Sequence, residues 1–130
     1  MVCLDTSFLI ALIRRDHKAE EKLEEYITNE ARLSTTPITA CELFNGAYRS
    51  GKNENVSRVR KSLAYLEILD FSADACERYG KLVNELHLRG SPIGDADTMI
   101  ASIALAHGEA LLTSNKEHFG RVPGLIVETW

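Results

Sequence analysis

"GDADTMIASIALAHGEALLTSN", residues 94–115, joins an acidic helix start to a short apolar strand. Small and apolar residues from Asp95 to His107 read as a helix, and Gly108 closes it. "EALLTSN" then reads as a strand that ends in hydroxyl and amide side chains. A helix turns about 100° per residue, so Asp95 and Asp97 point in different directions. Asp97 stacks with Ile100, Ala101 and Ala104, the small apolar stripe that a helix lays against a sheet. Asp95 stacks with Thr98, Met99 and Ser102, a more mixed face, and is the better cap. An ionised carboxylate on a buried face is costly unless it is paired or bound to a cation.

The same alternation recurs upstream. Met1 to Asp5 reads as a buried strand ending at an acid. "SFLIALIRR" follows as a helix, with Thr6 or Ser7 as its cap. "HKAEEKLEEYITN" carries Leu23, Tyr26 and Ile27 at helical spacing. "ARLSTT" is a second strand. Thr39 is the expected cap of the helix "ACELFNGAYRS", and Gly51 and Asn53 mark a turn. "VSRVRKSLAYL" is helical and "EILDF" is a third strand. Ser72 or Asp74 opens the helix "ADACERYGKLVNELHLR", which stops at Gly90 and Pro92. "GLIVETW" is a fifth strand.

Short apolar strands that alternate with helices are buried on both faces, the mark of a parallel sheet. The expected fold is a three-layer α/β/α domain with a central, mostly parallel five-stranded sheet and right-handed crossovers. The 130 residues fit one domain, 1–130. In open sheets of this kind, sites form beyond the carboxyl ends of the strands, near a switch in strand order.

Four polar groups from separate segments fall at that edge: Asp5, Glu42, Asp97 and Asn115. Three of them have structural alternatives that the sequence leaves open, Asp97 by suiting the positive end of a helix dipole. Asp5 suits an N-cap, and Thr39 to Glu42 matches the T-x-x-E capping box. If the carboxylates do meet, they repel, and either a proton or a cation must neutralise them. Oxygen ligands without His or Cys suit Mg²⁺ or Mn²⁺ rather than zinc. The matching chemistry is metal-assisted hydrolysis of a phosphodiester.

Composition narrows the class. Hydrophobic residues make up 45% and charged residues 26%, ordinary for a globular protein, and no apolar run is long enough to span a membrane. The basic residues of the N-terminus follow its apolar stretch, so no signal peptide is read there. Cys3, Cys41 and Cys76 are odd in number, widely spaced and in apolar surroundings, which points to a reduced, cytoplasmic protein. A net charge of −4 argues against bulk nucleic-acid binding. Charge is uneven, however: Arg49, Lys52, Arg58, Arg60 and Lys61 cluster, as a solvated helix face or as a phosphate-binding edge. His17, His87, His107 and His118 lack metal-site spacing and read as surface or helix-end residues.

Taken in order, four motifs resemble the PIN-domain nucleases, and most closely the VapC-type toxins of prokaryotic toxin–antitoxin pairs. "VCLDTSFLIAL" resembles the opening strand with its first acid. "TPITACELFNGAYRS" resembles the second motif, with Glu42. "SPIGDADTMIASIALAHG" resembles the third, in the register that selects Asp97. "LLTSNKEHFGRVPGLIVETW" resembles the closing segment, with Asn115 where many members carry an acid. The resemblance implies a Mg²⁺-dependent endoribonuclease, with Mn²⁺ as a substitute. Asp5 and Asp97 would bind the metal, and Glu42 would bind it or orient the water. Thr6, Ser7, Thr113 and Asn115 would form a hydrogen-bonding shell, with Asp95 outside it or at its margin. It implies an RNA substrate, a VapB-like antitoxin and a homodimer. Two other readings remain open: a housekeeping nuclease for RNA processing or structured DNA, and a degenerate PIN-like domain that binds a protein partner.

Overall fold

A computed structural model describes all 130 residues. The elements alternate as β1 (Val2–Leu4), α1 (Thr6–Ile13), α2 (His17–Thr28), β2 (Leu33–Thr35), α3 (Pro37–Arg49), α4 (Asn53–Ala64), β3 (Glu67–Ile68), α5 (Ala73–Leu88), α6 (Asp95–Ala106), β4 (Ala110–Leu112), α7 (Lys116–Phe119) and β5 (Val127–Glu128). The strands form one sheet in the order β3-β2-β1-β4-β5, and every pairing is parallel. The chain builds outward from β1 on one side, then returns to build β4 and β5 on the other. The switch in strand order therefore lies between β1 and β4, with Leu4 opposite Leu112. That register sets the next residues, Asp5 and Thr113, side by side at the carboxyl edge.

Period-two alternation in the strands divides the core into two layers. Val2, Leu4 and Leu112 face one cluster with Phe8, Leu43, Val59 and Leu63 from α1, α3 and α4. Cys3 and Leu111 face the other, with Leu82, Leu86, Ile100 and Ala104 from α5 and α6. The three-layer α/β/α expectation is thus met, and the sheet is wholly rather than mostly parallel. No helix is long and apolar enough to cross a membrane.

Several local expectations are corrected. Pro37 lacks an N–H and has φ preset for a helix, so α3 begins at Pro37 rather than after Thr39. Thr36 is its cap, accepting from the Thr39 N–H at 3.1 Å. The Thr39–Glu42 capping box does not form, and Glu42 lies in the second turn. Asp5 is the N-cap of α1 by position, but its carboxylate makes no capping bond. Gly94 precedes α6, so Asp95 is its first residue, exposed and capping nothing. Thr98 and Ser102 are buried despite their hydroxyls, because each donates one turn back, to Gly94 O (2.8 Å) and Thr98 O (2.7 Å). β3 is an exposed edge strand of two residues, not a buried one. Cys41 and Cys76 are exposed, and only Cys3 behaves as a core residue. The single turn α7 falls where the residues carry no periodic signal.

Candidate active site

Asp5 is held by hydroxyls from two segments. Its Oδ2 accepts from Thr113 Oγ1 at 2.6 Å and from Ser7 Oγ at 3.1 Å. Those donors are themselves fixed: the Ser114 N–H donates to Ser7 Oγ, and the Asn115 N–H donates to Thr113 Oγ1, both at 3.0 Å. Asp5 is only 5% exposed. Its Oδ1 has no protein donor, yet it is not sealed from solvent; the one sealed and unpaired side-chain atom of the molecule belongs to Glu109. One oxygen of Asp5 is therefore committed to the fold and the other is available.

Asp97 lies in the first turn of α6, and its side chain is 27% exposed. Burial pushes its carboxyl above the ordinary range, and the Asp5 carboxylate pushes it further; His118 acts in the opposite sense. His118 Nδ1 stands 3.5 Å from Asp97 Oδ2 and 3.0 Å from Asn115 Nδ2. Both contacts use the same ring nitrogen, which either donates to Asp97 as an N–H or accepts from the Asn115 amide, so His118 serves one of the two at a time. Sequence spacing alone sets His118 aside as a surface residue. It is partly exposed, but it stands at the site. Its place three residues after Asn115, across one turn of α7, is the signal that could have found it.

Glu42 is exposed and stands apart from the aspartates. Its Oε1 accepts from Thr6 Oγ1 at 2.7 Å. Thr6 follows Asp5 directly, so a single residue connects the two carboxylates through the backbone. No three His, Cys, Asp or Glu side chains are grouped closely enough to hold a metal ion among them. What the fold brings together is the Asp5–Asp97 pair, ringed by Ser7, Thr113, Asn115 and His118, with Glu42 one hydroxyl away.

This donor set fits a divalent cation of the Mg²⁺ type. Such an ion keeps several waters and takes one or two protein carboxylates. Two facing carboxylates in a half-buried cleft, one with its proton affinity raised by the other, lack a countercharge that a divalent ion provides. Zinc-type ligation, which takes several His or Cys side chains, has only His118 to draw on here.

Three grooves run along the α1–α4 side of the molecule. An open apolar groove of about 730 Å³ lies against α1, α2 and α4, lined by Leu9, Leu12, Leu23, Ile27, Tyr65 and Leu66, with Arg15 and Lys61 among its lining residues. A polar groove of about 310 Å³ shares Arg15 and Lys61 with it and adds Arg58. A third, of about 370 Å³, shares Arg58 and reaches Arg14, Asn55 and Glu42. Overlapping linings thus connect a row of cations to Glu42.

Comparison with known proteins shows the family and the fold. Residues 2–125 match the PIN domain family. The chain is 36% identical to "Ribonuclease VapC2" of Rickettsia felis and 34% identical to "tRNA(fMet)-specific endonuclease VapC" of Salmonella typhimurium, in each case over 98% of this chain and 96% of the relative. Among solved structures, VapBC2 from Rickettsia felis bound to a promoter DNA fragment superposes with a TM-score of 0.92 at 36% identity, covering 100% of this chain and 99% of that one. DNA-bound VapBC from Salmonella typhimurium gives 0.90 at 34% identity, with the same coverage.

Proposed function

We propose, from the premise that the chain belongs to the PIN-domain family, that it is a metal-dependent endoribonuclease and the toxin of a toxin–antitoxin pair. The supporting observation is the Asp5–Asp97 pair at the switch between β1 and β4. Asp5 and Asp97 would hold the divalent ion, Mg²⁺ with Mn²⁺ as substitute. When bound, that ion offsets the two negative charges and supplies Lewis acidity to a phosphodiester oxygen.

The chain's own groups do the rest. Ser7 and Thr113 fix one Asp5 oxygen and turn the other toward the cleft. His118 stands beside Asp97, and the Asn115 amide contacts His118 rather than Asp97. Thr6 fixes Oε1 of Glu42, which leaves Oε2 to orient an attacking water and accept its proton. Water oxygen bonds to phosphorus, the bond from phosphorus to the leaving ribose oxygen breaks, and that oxygen takes a proton from solvent water. The row of cations ending at Glu42 receives the flanking phosphates, with Arg14 and Lys61 free of any ion pair.

The partners follow from the same surfaces. The apolar groove, with Lys61 along it and Arg15 already paired with Glu20, fits the apolar face of an amphipathic segment of a VapB-like antitoxin. Phe44 and Tyr48 form an aromatic pair on α3 with centroids 6.5 Å apart, and Tyr48 is exposed, which suits a homodimer contact. The experiment is direct: purified, antitoxin-free protein given Mg²⁺ or Mn²⁺ cuts RNA, and Asp97→Asn folded to the same degree does not. Wild-type protein that cleaves no RNA which the variant spares sinks this reading.

A further inference from the structure

One side of α4 lines all three grooves in turn. Asn55, Arg58, Ser62 and Tyr65 recur at i, i+3, i+7 and i+10, so they lie in one row along the helix. Tyr65 is the C-cap and keeps right-handed helical dihedrals, which leaves it in that row. Asn55 and Arg58 line the groove that holds Glu42. Arg58 and Ser62 line the polar groove with Lys61, and Lys61, Ser62 and Tyr65 line the apolar one. The helix rises about 15 Å from Asn55 to Tyr65, room for a few nucleotides of an extended strand. The row thus starts beside Glu42 and ends on an aromatic ring.

Tyr65 is 87% exposed, whereas Leu9 of the same groove is 2% exposed, so the ring stands at the rim and not on the floor. It pairs with no other aromatic ring. A single exposed tyrosine is ordinary on a protein surface. Its neighbours on α4 are what set it apart. Lys61, exposed and free of any ion pair, lies four residues before it, across one helical turn. Arg58 lies a further turn back, paired with Glu54 at the surface. Cations that follow phosphates, together with a ring on which a base stacks, hold a single strand without reading its sequence. The buried floor of the groove offers a peptide its apolar contact, while the basic and aromatic rim offers a nucleotide both of its parts a place.

We infer that Tyr65 is a nucleobase-stacking residue for single-stranded RNA, at the far end of a phosphate track that runs along α4 to Glu42. The strand lies along the row with phosphates toward Arg58 and Lys61, and one base, well away from the bond to be cut, lies flat on the Tyr65 ring. This deepens the nuclease reading and rests on it for the placement of the scissile bond, but the stacking itself is measured by binding alone. Because Tyr65 also lines the groove assigned to the antitoxin, RNA and antitoxin meet at this residue.

The test measures binding of a short unstructured RNA to antitoxin-free Asp97→Asn protein by fluorescence anisotropy. Tyr65→Ala in that protein is expected to weaken binding about tenfold, and Tyr65→Phe, which keeps the ring, to preserve it. The slope of log affinity against log salt stays the same in both, because no phosphate contact is lost. A series of RNAs, each lacking the base at one position, locates the partner. At one position, loss of the base weakens binding to the parent about tenfold and leaves binding to Tyr65→Ala unchanged. Parent protein that binds no RNA, a Tyr65→Ala variant that binds as tightly as the parent, a Tyr65→Phe variant as weak as the alanine, or no such position in the RNA overturns the inference. A Tyr65→Ala variant that keeps its RNA affinity but loses the VapB-like antitoxin gives the ring to the protein partner and overturns it too. Wild-type protein that binds RNA through Tyr65 but does not cut it sinks the nuclease reading and leaves the stacking in place.

Discussion

Asp97, in the first turn of α6, stands near enough to Asp5, at the end of β1, for the Asp5 charge to add to burial in raising the Asp97 proton affinity. Segments far apart in sequence thus meet at the one point of the sheet where strand order reverses. This arrangement stores an electrostatic cost in the metal-free fold and has consequences for stability.

The first concerns pH. The Asp97 carboxyl is raised above its ordinary value of 3.8, so the folded state holds this proton more tightly than the unfolded chain does. The associated stability is present below the ordinary value and is lost as pH rises through the raised one. With chelator present, the melting temperature is expected to fall across that window, and Asp97→Asn flattens the fall. At neutral pH the metal-free variant melts above wild type. A calorimetric series over pH checks this, and a variant that melts below wild type at neutral pH contradicts it.

Thr113 provides the shorter of the two hydroxyl contacts to Asp5, at 2.6 Å and buried. Thr113→Val removes a charge-assisted donor from an enclosed carboxylate and is expected to cost about 1.5–3 kcal/mol by urea unfolding. Ser7→Ala, at 3.1 Å, costs less. In the Asp5→Asn background the Thr113 penalty shrinks, since the acceptor charge is gone; an unchanged penalty in that cycle shows that Thr113 acts through packing.

At the opposite edge of the sheet, Glu109 is buried with Oε1 unpaired and Oε2 on the Ser34 hydroxyl. Ser34→Ala strips the remaining partner and is expected to destabilise the fold by about 1–3 kcal/mol. Glu109→Met removes the polar group instead and is expected to be near neutral or stabilising. Urea unfolding reads both variants, and equal destabilisation of the two rules out the unpaired carboxylate as the cause.

The cation row makes a salt prediction. Arg14→Gln and Lys61→Gln, introduced into the inactive Asp97→Asn protein, are expected to weaken single-stranded RNA binding. The slope of log affinity against log salt flattens by about 0.7 for each phosphate that is no longer neutralised. Fluorescence anisotropy across a salt series reads both quantities. An unchanged slope removes the row from the substrate path and leaves it as a face for an acidic partner.

Much of this is legible in the residues. Alternation of short apolar runs with helices is enough for a parallel three-layer fold, because strands buried on both faces carry no polar side. The stripe Asp97, Ile100, Ala101 and Ala104 is visible at helical spacing, and those three apolar residues are buried. Helix starts are read less well. The T-x-x-E spacing from Thr39 to Glu42 is a local pattern, whereas Pro37 moves the start of α3 by its missing N–H and fixed φ, so that Thr36 caps the helix instead. His118 escapes a sequence reading because its neighbours in space, Asp97 and Asn115, come from α6 and the turn after β4, and a one-turn helix has no periodicity to announce its face. The separation of Glu42 from the aspartates is likewise invisible in sequence, since it depends on how α3 packs beside α1, where Glu42 meets the Thr6 hydroxyl.

Whether Asp5 and Asp97 share a divalent ion is decided by calorimetric titration of Mn²⁺ into antitoxin-free protein, wild type against Asp97→Asn. Saturable binding is expected for the wild type, and the variant loses it while keeping its fold. Wild-type protein with no heat above background, or a variant that binds Mn²⁺ as tightly as the wild type, contradicts a shared ion at this pair.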